Sequence, residues 1–571
     1  MMATFGEAYV IAVDVGTASV RGGLYFLSSK SFQKVAVQPI TVHKAIVSVK
    51  DAENTEIISQ SSTEIWTAVC LVVQKVTQDV DPASVRGIGF DATCSLVIVG
   101  PEGKAMEADG TIVSLVDGQQ SYLDIIMWQD HRAKMETDYI NKELADHSSL
   151  SFVGGQVSVE MQIPKLLWLK KHHPEVFHKA NKFMDLCDFL SWKASGDLSR
   201  SICSVLCKWL YQVDPDGQRS TVSHGWDAEL FRRINLEELS ENNFDKIGSV
   251  IRIPGSLSKM YISSTAASEL GLPVGTPVSI GLVDAHAGGL AMAYCSRPSG
   301  RPTDRFKRLA LICGTSICFM QCSPKPVFVP GVWGPYYSAM LPDSWLNEAG
   351  QSAAGQFLDL MVRTHPYYLT SLKSQDLTTT YVHLNKRIEE VRQEQSLDDP
   401  GFLSRDLHVF PDFHGNRSPL SNPDIKGMIM GQTTDCESEL SVLRLYVAAV
   451  QGLAYEARWI MDVFVEHGIE IADVAICGGL AHNPFFIQTV SDVVGRPVLL
   501  PDIKESVLLG SAILAASVSG VFSSLEDAAT QMAGSSRAVE PCLSMGKYHD
   551  GRYNVFRKMA RFQEDIIKDR A

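Results

Sequence analysis

Residues 9–27 read YVIAVDVGTASVRGGLYFL and residues 309–321 read LALICGTSICFMQ, so one short pattern occurs twice in the chain. Each copy has an apolar run, a Gly-Thr turn and a second apolar run, which predicts a β-hairpin. Gly16 and Gly314 let the turns expose backbone amides that can hold phosphate oxygens, and Thr17 and Thr315 add hydroxyl donors. One copy alone is typical of an ordinary hairpin. Two copies, with a third glycine turn described below, favour two halves of one fold that face a common phosphate.

Length and charge narrow the class of protein. A chain of 571 residues exceeds what one hydrophobic core supports, so two large domains are expected. The formal net charge is −14 and no dense Lys/Arg tract is present. This balance disfavours nucleic acid or an anionic membrane as the main partner and favours a small-molecule substrate.

Cysteine usage and the N-terminal sequence bear on the compartment. The 12 cysteines are scattered, without CxxC pairs or His/Cys ligand spacing, which predicts reduced and mostly buried thiols. No signal-peptide pattern precedes the first predicted strand, so a cytoplasmic location is expected. The longest uncharged stretch, residues 506–522, is predicted to be a buried helix rather than a membrane span.

Apolar strands alternate with helical patterns along the chain, which indicates an α/β protein. Helical periodicity is clearest at 440–466 and weaker at 62–78 and 163–173. Residues 364–406 are polar and irregular, which predicts a surface insertion or a mobile connection.

The segment VSIGLVDAHAGGLA, residues 278–291, carries Asp284 from the end of an apolar strand towards two glycines. A carboxylate there can accept a hydroxyl proton as a general base, while the glycines leave room for a substrate. The alternative is a helix N-cap, a common position for aspartate. His286 could tune that carboxylate, although local packing at the helix start is the more usual role.

The segment VAICGGLAHNPFFIQTVSDVVG, residues 474–495, is the third glycine turn. A strand runs into Gly478 and Gly479, and Asn483-Pro484 opens a helix. Such an opening can present backbone amides and a positive helix end to a nucleotide, or it can be a plain strand-to-helix turn. Neither the dinucleotide nor the P-loop glycine pattern is present.

Polar and aromatic residues concentrate in three further segments: FDATCSLV (90–97), MWQDHRA (127–133) and CKWLY (207–211). Asp130 and Arg132 beside an aromatic can recognise sugar hydroxyls and a carbonyl. The same pair can equally be a structural ion pair under a tryptophan. A fourth polar segment, DFHGNRSP (412–419), is assigned no catalytic role because it is also typical of a turn.

Over nearly its whole length the chain resembles the FGGY carbohydrate kinases. The motifs that carry the resemblance occur in the family's order: DVGT at 14–17, WQDHRA at 128–133, Asp284, Gly314-Thr315 and Gly478-Gly479. The resemblance implies the actin/Hsp70/sugar-kinase fold, with two ribonuclease-H-like domains that close on ATP and a sugar. It also implies an N-terminal sugar-binding domain at 1–287, a C-terminal ATP-binding domain at 288–571, and a homodimer by analogy with relatives.

Within the family, the chain looks most like the ribulokinase branch because of TCS at 93–95, Lys208 in CKW and Glu348 in NEAGQS. By resemblance, Asp284 is the catalytic base and Asp14 helps to hold Mg²⁺. The residues expected to line the sugar pocket are Thr93, Cys94, Asp130, Arg132, Lys208, Asp284 and Glu348. Those expected near ATP are Gly16, Thr17, Gly314, Thr315, Gly355, Gly478, Gly479 and Asn483.

The resemblance therefore implies a kinase that uses ATP and Mg²⁺ to convert D-ribulose to D-ribulose 5-phosphate. One alternative is the same chemistry on L-ribulose, D-xylulose or a pentitol. The other is a nucleotide-binding regulatory protein that keeps the fold without phosphorylating a sugar. The Asp284 carboxylate and the polar pocket argue against the regulatory alternative.

Overall fold

The structure is a computed structural model that describes residues 7–47, 55–106, 112–114, 120–213, 225–256, 260–298 and 304–570. Residues 1–6, which bear on the signal-peptide prediction, lie outside this part. Its strands are β1 (Tyr9–Val15), β2 (Ser19–Phe26), β3 (Ser31–Pro39), β4 (His43–Val47), β5 (Thr55–Gln60), β6 (Val85–Ala92), β7 (Leu96–Val99), β8 (Ile112–Ser114), β9 (Gln120–Tyr122), β10 (Ile125–Ile126), β11 (Lys182–Asp185), β12 (Arg200–Ser201), β13 (Ile251–Arg252), β14 (Leu282–Val283), β15 (Arg308–Cys313), β16 (Ile317–Ser323), β17 (Trp333–Tyr337), β18 (Trp345–Gln351), β19 (His408–Phe410), β20 (Met428–Met430), β21 (Asp473–Cys477), β22 (Val498–Pro501) and β23 (Ser536–Val539).

Helices occupy both halves of the chain. They are α1 (Ser62–Thr77), α2 (Lys134–Glu143), α3 (Gln162–His172), α4 (Pro174–Lys179), α5 (Leu186–Ser195), α6 (Ile202–Lys208), α7 (Ala228–Arg233), α8 (Glu241–Phe244), α9 (Ser264–Leu270), α10 (Asp284–Tyr294), α11 (Gly355–Arg363), α12 (Leu377–Glu394), α13 (Glu439–Glu466), α14 (Pro484–Val494), α15 (Ser506–Val518), α16 (Leu525–Met532) and α17 (Gly546–Arg570). None of the helices in the described residues is long and apolar enough to cross a membrane.

Both predicted hairpins are confirmed, and each is built into a sheet in the same way. In the first half, β1 and β2 are antiparallel and β6 lies parallel to β1, within the sheet order β14-β6-β1-β2-β3. In the second half, β15 and β16 are antiparallel and β21 lies parallel to β15, within the order β17-β18-β16-β15-β21-β22-β23. The sequence repeat thus corresponds to a repeat of topology. The remaining large sheet, β11-β7-β10-β5-β4, belongs to the first half.

Two helices cross between the halves. Helix α10 begins directly after β14 of the first sheet and packs on β15 and β21 of the second, while α15 packs on β1 and β6 of the first sheet. The two helices also pack on each other, and a Cβ at Gly510 of α15 would overlap the Ala287 carbonyl of α10. Only glycine permits so close an approach. The predicted boundary at 287/288 falls inside α10 and stays a prediction.

The predicted helices at 62–78, 163–173 and 440–466 are confirmed as α1, α3 and α13, and the uncharged stretch at 506–522 contains the buried helix α15. The segment at 364–406 is not an irregular connection, because it contains the 18-residue helix α12. That it is a surface insertion stays a prediction. Leu384, Ile388 and Val391 are buried along one face of α12, and Arg387 forms an ion pair with Glu439 of α13. The narrow apolar stripe of α12 was not recognised in the sequence because most residues around it are polar.

Candidate active site

Three carboxylates meet where adjacent strands of the first sheet end. Asp14 and Asp91 lie opposite each other near the ends of the parallel strands β1 and β6. Asp284 follows β14, which pairs with the other side of β6. It is the first residue of α10 rather than its cap, and its Oδ1 accepts the Ala285 amide at 2.7 Å. In open α/β sheets, this carboxyl edge of the strands is where ligands bind.

Burial controls the protonation of these carboxyl groups. Burial raises the pKa of Asp14 to about 6, against the opposing effect of Arg21, whose Nη1 lies 3.7 Å from its Oδ2. Burial and the neighbouring Asp14 raise the pKa of Asp91 well above its ordinary range. Burial also raises the pKa of Asp284, while the Ala285 amide lowers it.

The two oxygens of the Asp91 carboxylate differ in their hydrogen bonding. Ser511 Oγ of α15 donates to Asp91 Oδ2 at 2.5 Å, whereas Oδ1 is buried and has no hydrogen-bond partner among the described residues. Carboxylate oxygens at such a position are ligands suited to a hard divalent cation. Asp14 and Asp91, which lie opposite each other, could therefore help to hold Mg²⁺.

Beside these carboxylates lies a second charged cluster, centred on Glu348 of β18. Arg417 Nη2 donates to Glu348 Oε1 at 2.7 Å, and His286 Nε2 lies 3.0 Å from Oε2. Although burial raises the pKa of Glu348, Lys208, His286 and Arg417 together hold it well below its ordinary range. The Glu348 carboxylate is thus a buried anion surrounded by three cationic side chains.

Trp333 of β17 forms an aromatic wall for this cluster. Lys208 Nζ and Arg417 Cζ each lie 4.2 Å from the Trp333 ring centroid. Burial lowers the pKa of Lys208, but Cys94 and Glu348 outweigh burial and raise it. An aromatic face beside paired charges that can donate and accept hydrogen bonds is suited to a polyhydroxylated ligand.

Thr93 and Cys94 follow β6 and connect the two clusters. The Thr93 amide donates to the Val15 carbonyl at 3.0 Å, and its Oγ1 lies 3.2 Å from Ser95 Oγ. Burial raises the pKa of Cys94 to about 12 while the charge of Lys208 opposes this effect. The Cys94 thiol therefore stays neutral beside the Lys208 ammonium.

Asp130 and Arg132 instead pair with each other, and Arg132 Nη1 is left buried without a hydrogen-bond partner among the described residues. Arg132 Nε and Nη2 donate to the two Asp130 oxygens at 2.8 Å each, and both side chains are inaccessible to solvent. Arg132 also donates to Ser59 Oγ at 2.9 Å and lies 5.0 Å from the Trp168 ring centroid. This is the geometry of an internal ion pair under a tryptophan, the alternative that the sequence left open. Their predicted contact with sugar stays a prediction.

The two Gly-Thr turns differ in how they are braced. In the first, the Gly16 amide donates to the Ser19 carbonyl at 3.0 Å and Thr17 Oγ1 accepts from Trp128 Nε1 at 3.3 Å. In the second, Gly314 and Thr315 are exposed. The start of α11 holds this second turn, because the Gly355 amide donates to the Gly314 carbonyl at 3.2 Å.

The third glycine turn packs directly on the second. Gly478 has a φ of +89°, and a Cβ there would lie 2.5 Å from the Cys313 carbonyl oxygen. Asn483 caps α14, with Oδ1 accepting the Phe486 amide at 3.2 Å and Nδ2 donating to Tyr446 Oη at 2.6 Å. The Asn483 side chain is thus occupied within the protein, so any contribution to nucleotide binding comes from the helix end that it fixes.

The sequence did not predict three of the charged side chains in this site: Asp91, Arg417 and Glu160. Asp91 was seen only as part of a polar segment, and Arg417 lay in the segment at 412–419 that was assigned no role. The third, Glu160 of the first half, pairs with Arg417 of the second half, with its Oε2 3.9 Å from Arg417 Nη1. Nothing in the local sequence around Glu160 predicts this ion pair, because its partner is more than 250 positions away along the chain.

Comparisons with known proteins agree with this geometry. The chain matches the N-terminal domain of the FGGY family of carbohydrate kinases at residues 9–291 and the C-terminal domain at 309–518. It is 41% identical to an FGGY carbohydrate kinase domain-containing protein of Xenopus laevis, covering 98% of this chain and 97% of that protein. It is 34% identical to a D-ribulokinase of Saccharomyces cerevisiae, covering 90% of this chain and 72% of the yeast protein.

The fold has a close match among solved structures. A xylulose kinase from Rhodospirillum rubrum superposes with a TM-score of 0.73 at 18% identity, covering 98% of this chain and 99% of that one. This likeness confirms the predicted actin/Hsp70/sugar-kinase fold with two α/β halves.

The fold and the site define a carbohydrate kinase, an enzyme that phosphorylates a sugar or sugar derivative. Within that class, the chain belongs to the FGGY family of carbohydrate kinases.

Proposed function

We propose that this enzyme transfers the γ-phosphoryl group of ATP to D-ribulose and forms D-ribulose 5-phosphate. The observation that carries the proposal is the half-buried Asp284, which lies between the Asp14–Asp91 carboxylates and the charged cluster of Lys208 and Glu348. The similarity to the yeast protein named D-ribulokinase supports this choice of sugar.

In this proposal the sugar lies against the Glu348 cluster. Glu348 accepts hydrogen bonds from sugar hydroxyls, and Lys208 donates to a hydroxyl or to the ketose carbonyl. Thr93 and Cys94 line the side next to β6. Because Glu348 is held ionised and its three cationic neighbours hold it in place, the pocket is ordered before the sugar arrives.

Asp284 acts as the general base. Its carboxylate orients the terminal hydroxyl of the sugar and accepts the proton as the new O–P bond forms, a role that contributes roughly 10²- to 10⁴-fold. Burial raises the pKa of Asp284 above its ordinary value, and this makes the carboxylate a better proton acceptor. The transferred phosphoryl has a loose transition state, so positioning and charge stabilisation supply most of the catalysis.

The three glycine turns would hold ATP, with Gly16 and Gly314 shaping the first two turns and the amides of Thr17 and Thr315 directed at its phosphates. The Gly16 and Gly314 amides themselves donate to carbonyls within their turns. Gly355, Gly478 and Gly479 would lie beside the nucleotide. The Asp14 and Asp91 carboxylates fit Mg²⁺, which when bound neutralises phosphate charge. Closure of the halves, across which Glu160 and Arg417 already pair, would exclude water as a competing acceptor.

The test measures ADP release by the purified enzyme with MgATP across D-ribulose, L-ribulose, D-xylulose and ribitol. The proposal expects the highest kcat/KM with D-ribulose. Asp284→Asn should lower kcat by about 10²-fold or more with little change in KM. Asp399→Asn is the matched control, because Asp399 is also half-buried and accepts a backbone amide at 2.7 Å, and its neighbours Gly401 and Arg392 are not residues of the site.

Faster turnover with another of these sugars would keep the mechanism and replace the substrate. No turnover with any of the four would contradict the proposed pentulose or pentitol substrate. Full activity of Asp284→Asn would refute the role of Asp284 as base.

A further inference from the structure

Two cysteines and a histidine form a closed group behind the sugar pocket. Cys203 and Cys207 are four residues apart on α6 and therefore lie on one face of that helix. Cys203 Sγ is 2.7 Å from His286 Nδ1, and Cys207 Sγ is 3.9 Å from His286 Nε2. One ligand atom from each residue lies within 4.8 Å of the other two, and all three residues are buried.

These atoms match the ligand preferences of zinc and similar cations. Zinc binds cysteine sulfur at about 2.3 Å and histidine nitrogen at about 2.0–2.1 Å, so its tetrahedral ligands lie roughly 3.4–3.8 Å apart. Cys203 Sγ and His286 Nδ1 lie closer together than this, so a cation between them requires side-chain rotations that move the two atoms apart by about 1 Å. The mechanism proposed above uses neither thiol.

The surroundings of His286 support the same assignment. A histidine that binds a metal usually donates its other ring N–H to a carboxylate, which fixes the ring. Here Nδ1 is directed at Cys203 while Nε2 lies 3.0 Å from Glu348 Oε2. The imidazole is thus already held in the orientation that a ligand on its Nδ1 side would need.

Tyr336 provides an independent observation. Its side chain is 1% exposed, and its hydroxyl is buried without a hydrogen-bond partner among the described residues. Cys207 and Glu348 are among its neighbours. An unpartnered buried hydroxyl beside Cys207 is suited to a hydrogen bond with a water in the fourth position.

We propose that Cys203, Cys207 and His286 form a binding site for one thiophilic divalent cation of the zinc type. Binding releases three protons to solvent: one from each thiol and one from Nδ1 of the His286 imidazolium. His286 then binds as the neutral imidazole through Nδ1, while its Nε2–H stays directed at Glu348. The site differs in chemistry from the Asp14, Asp91 and Asp284 carboxylates, because thiolates select zinc and cobalt whereas oxygen ligands select Mg²⁺.

A cation here would join two helices that carry site residues. Lys208 directly follows Cys207 at the end of α6, and Asp284 lies two residues before His286 at the start of α10. Binding to the folded state alone would also stabilise the protein, by about 2.7 kcal/mol at a cation concentration 100 times Kd.

The test uses the full-length reduced protein and Co²⁺ as a spectroscopic probe. We expect one equivalent of Co²⁺ to give a thiolate-to-cobalt charge-transfer band, which excess Zn²⁺ removes and excess Mg²⁺ does not. Cys203→Ser and Cys207→Ser should each abolish or greatly weaken the band. The control is the double variant Cys436→Ser/Cys542→Ser, which replaces the two exposed cysteines and should keep it.

A wild-type measurement keeps the test valid if a variant fails to fold. X-ray absorption at the zinc edge of protein loaded with one equivalent of Zn²⁺ should show two sulfur ligands near 2.3 Å and nitrogen or oxygen near 2.0 Å. The proposal is overturned if the zinc shell lacks sulfur, if no charge-transfer band forms, or if the band is lost in the control and kept in the Cys203→Ser variant. Because none of these readouts involves turnover, the outcome is independent of the proposed sugar.

Discussion

Replacing Glu348 by glutamine should destabilise the enzyme strongly, because it removes the carboxylate that contacts two buried cationic side chains directly and lies near a third. Glu348 is 4% exposed, with Arg417 at 2.7 Å and His286 at 3.0 Å, and Lys208 also holds it ionised. Removal of one partner from a buried ion pair costs about 3–5 kcal/mol. Glutamine keeps the size of the side chain, so the loss reports charge rather than packing.

The expected change in melting temperature follows from the size of the chain. About 2.1 cal/mol/K of unfolding entropy per residue near 60 °C gives ~1.2 kcal/mol/K for 571 residues that unfold together. A loss of 3–5 kcal/mol therefore lowers Tm by about 3–4 °C, which differential scanning calorimetry resolves. The KM for the sugar should rise in the same variant, because the anion that accepts its hydroxyls is gone.

Glu505→Gln provides the matched control. Glu505 also faces an arginine, with Oε2 3.7 Å from Arg21 Nη1, but both side chains are more than 40% exposed. Exposed pairs contribute about 0–1 kcal/mol, so its Tm should change by less than about 1 °C. If Glu348→Gln melts as the wild type does, the cluster is not the tightly paired unit that its distances indicate.

Three further predictions concern other parts of the molecule. Gly478→Ala should lower the free energy of unfolding by about 1–3 kcal/mol more than a change at an unstrained site, because its φ is +89° and its Cβ would meet the Cys313 carbonyl. Gly495→Ala is the control, because Gly495 has a φ of +63° but a Cβ there would meet nothing within 4 Å. Urea unfolding of the two variants therefore separates the clash from the backbone strain. Arg132→Met should lower the free energy of unfolding by about 3–5 kcal/mol, because it leaves the buried Asp130 carboxylate without its cationic partner. If the pair is internal, the KM for the sugar should stay within about twofold. A rise in KM of about tenfold or more would instead show that Arg132 contacts the sugar. His549 is buried, and burial, followed by the charge of Arg552, lowers its pKa to about 4. The neutral histidine therefore contributes fully to stability above about pH 6.5, and this contribution is lost as the pH falls towards 4, by up to about 1.4 kcal/mol per pH unit. In urea unfolding between pH 4 and 7, His549→Gln should reduce the fall of the midpoint at low pH, and an unchanged fall would exclude this histidine as the cause.

Local patterns predicted much of the fold. Apolar runs around Gly-Thr turns predicted both hairpins, and helical periodicity of apolar residues predicted α1, α3 and α13. Helix α12 was missed because its buried residues recur at i, i+4 and i+7 within an otherwise polar segment. The crossing of α10 and α15 between the halves is a tertiary arrangement, and no local pattern encodes it.

For the site, sequence resemblance identified residues at the strand ends, but the pairing between distant segments needed the structure. His286 was weighed against its neighbour Asp284, whereas it lies between Cys203 and Glu348, which are 83 and 62 positions away. Arg417 lay in a segment that local chemistry could not distinguish from a turn. In each case the partner that gives the residue its role is remote in sequence and adjacent only after folding.

The packing of α15 on β1 and β6 makes the two halves mutually dependent during expression. A fragment that ends before residue 506 would retain every strand of the first sheet, yet the apolar face that α15 covers would be open to water. Its loss would expose Val10, Ala12 and other residues that are fully or almost fully buried in the intact chain. A late stop codon would therefore damage a domain encoded hundreds of residues earlier, and soluble protein would require both fragments to be made together.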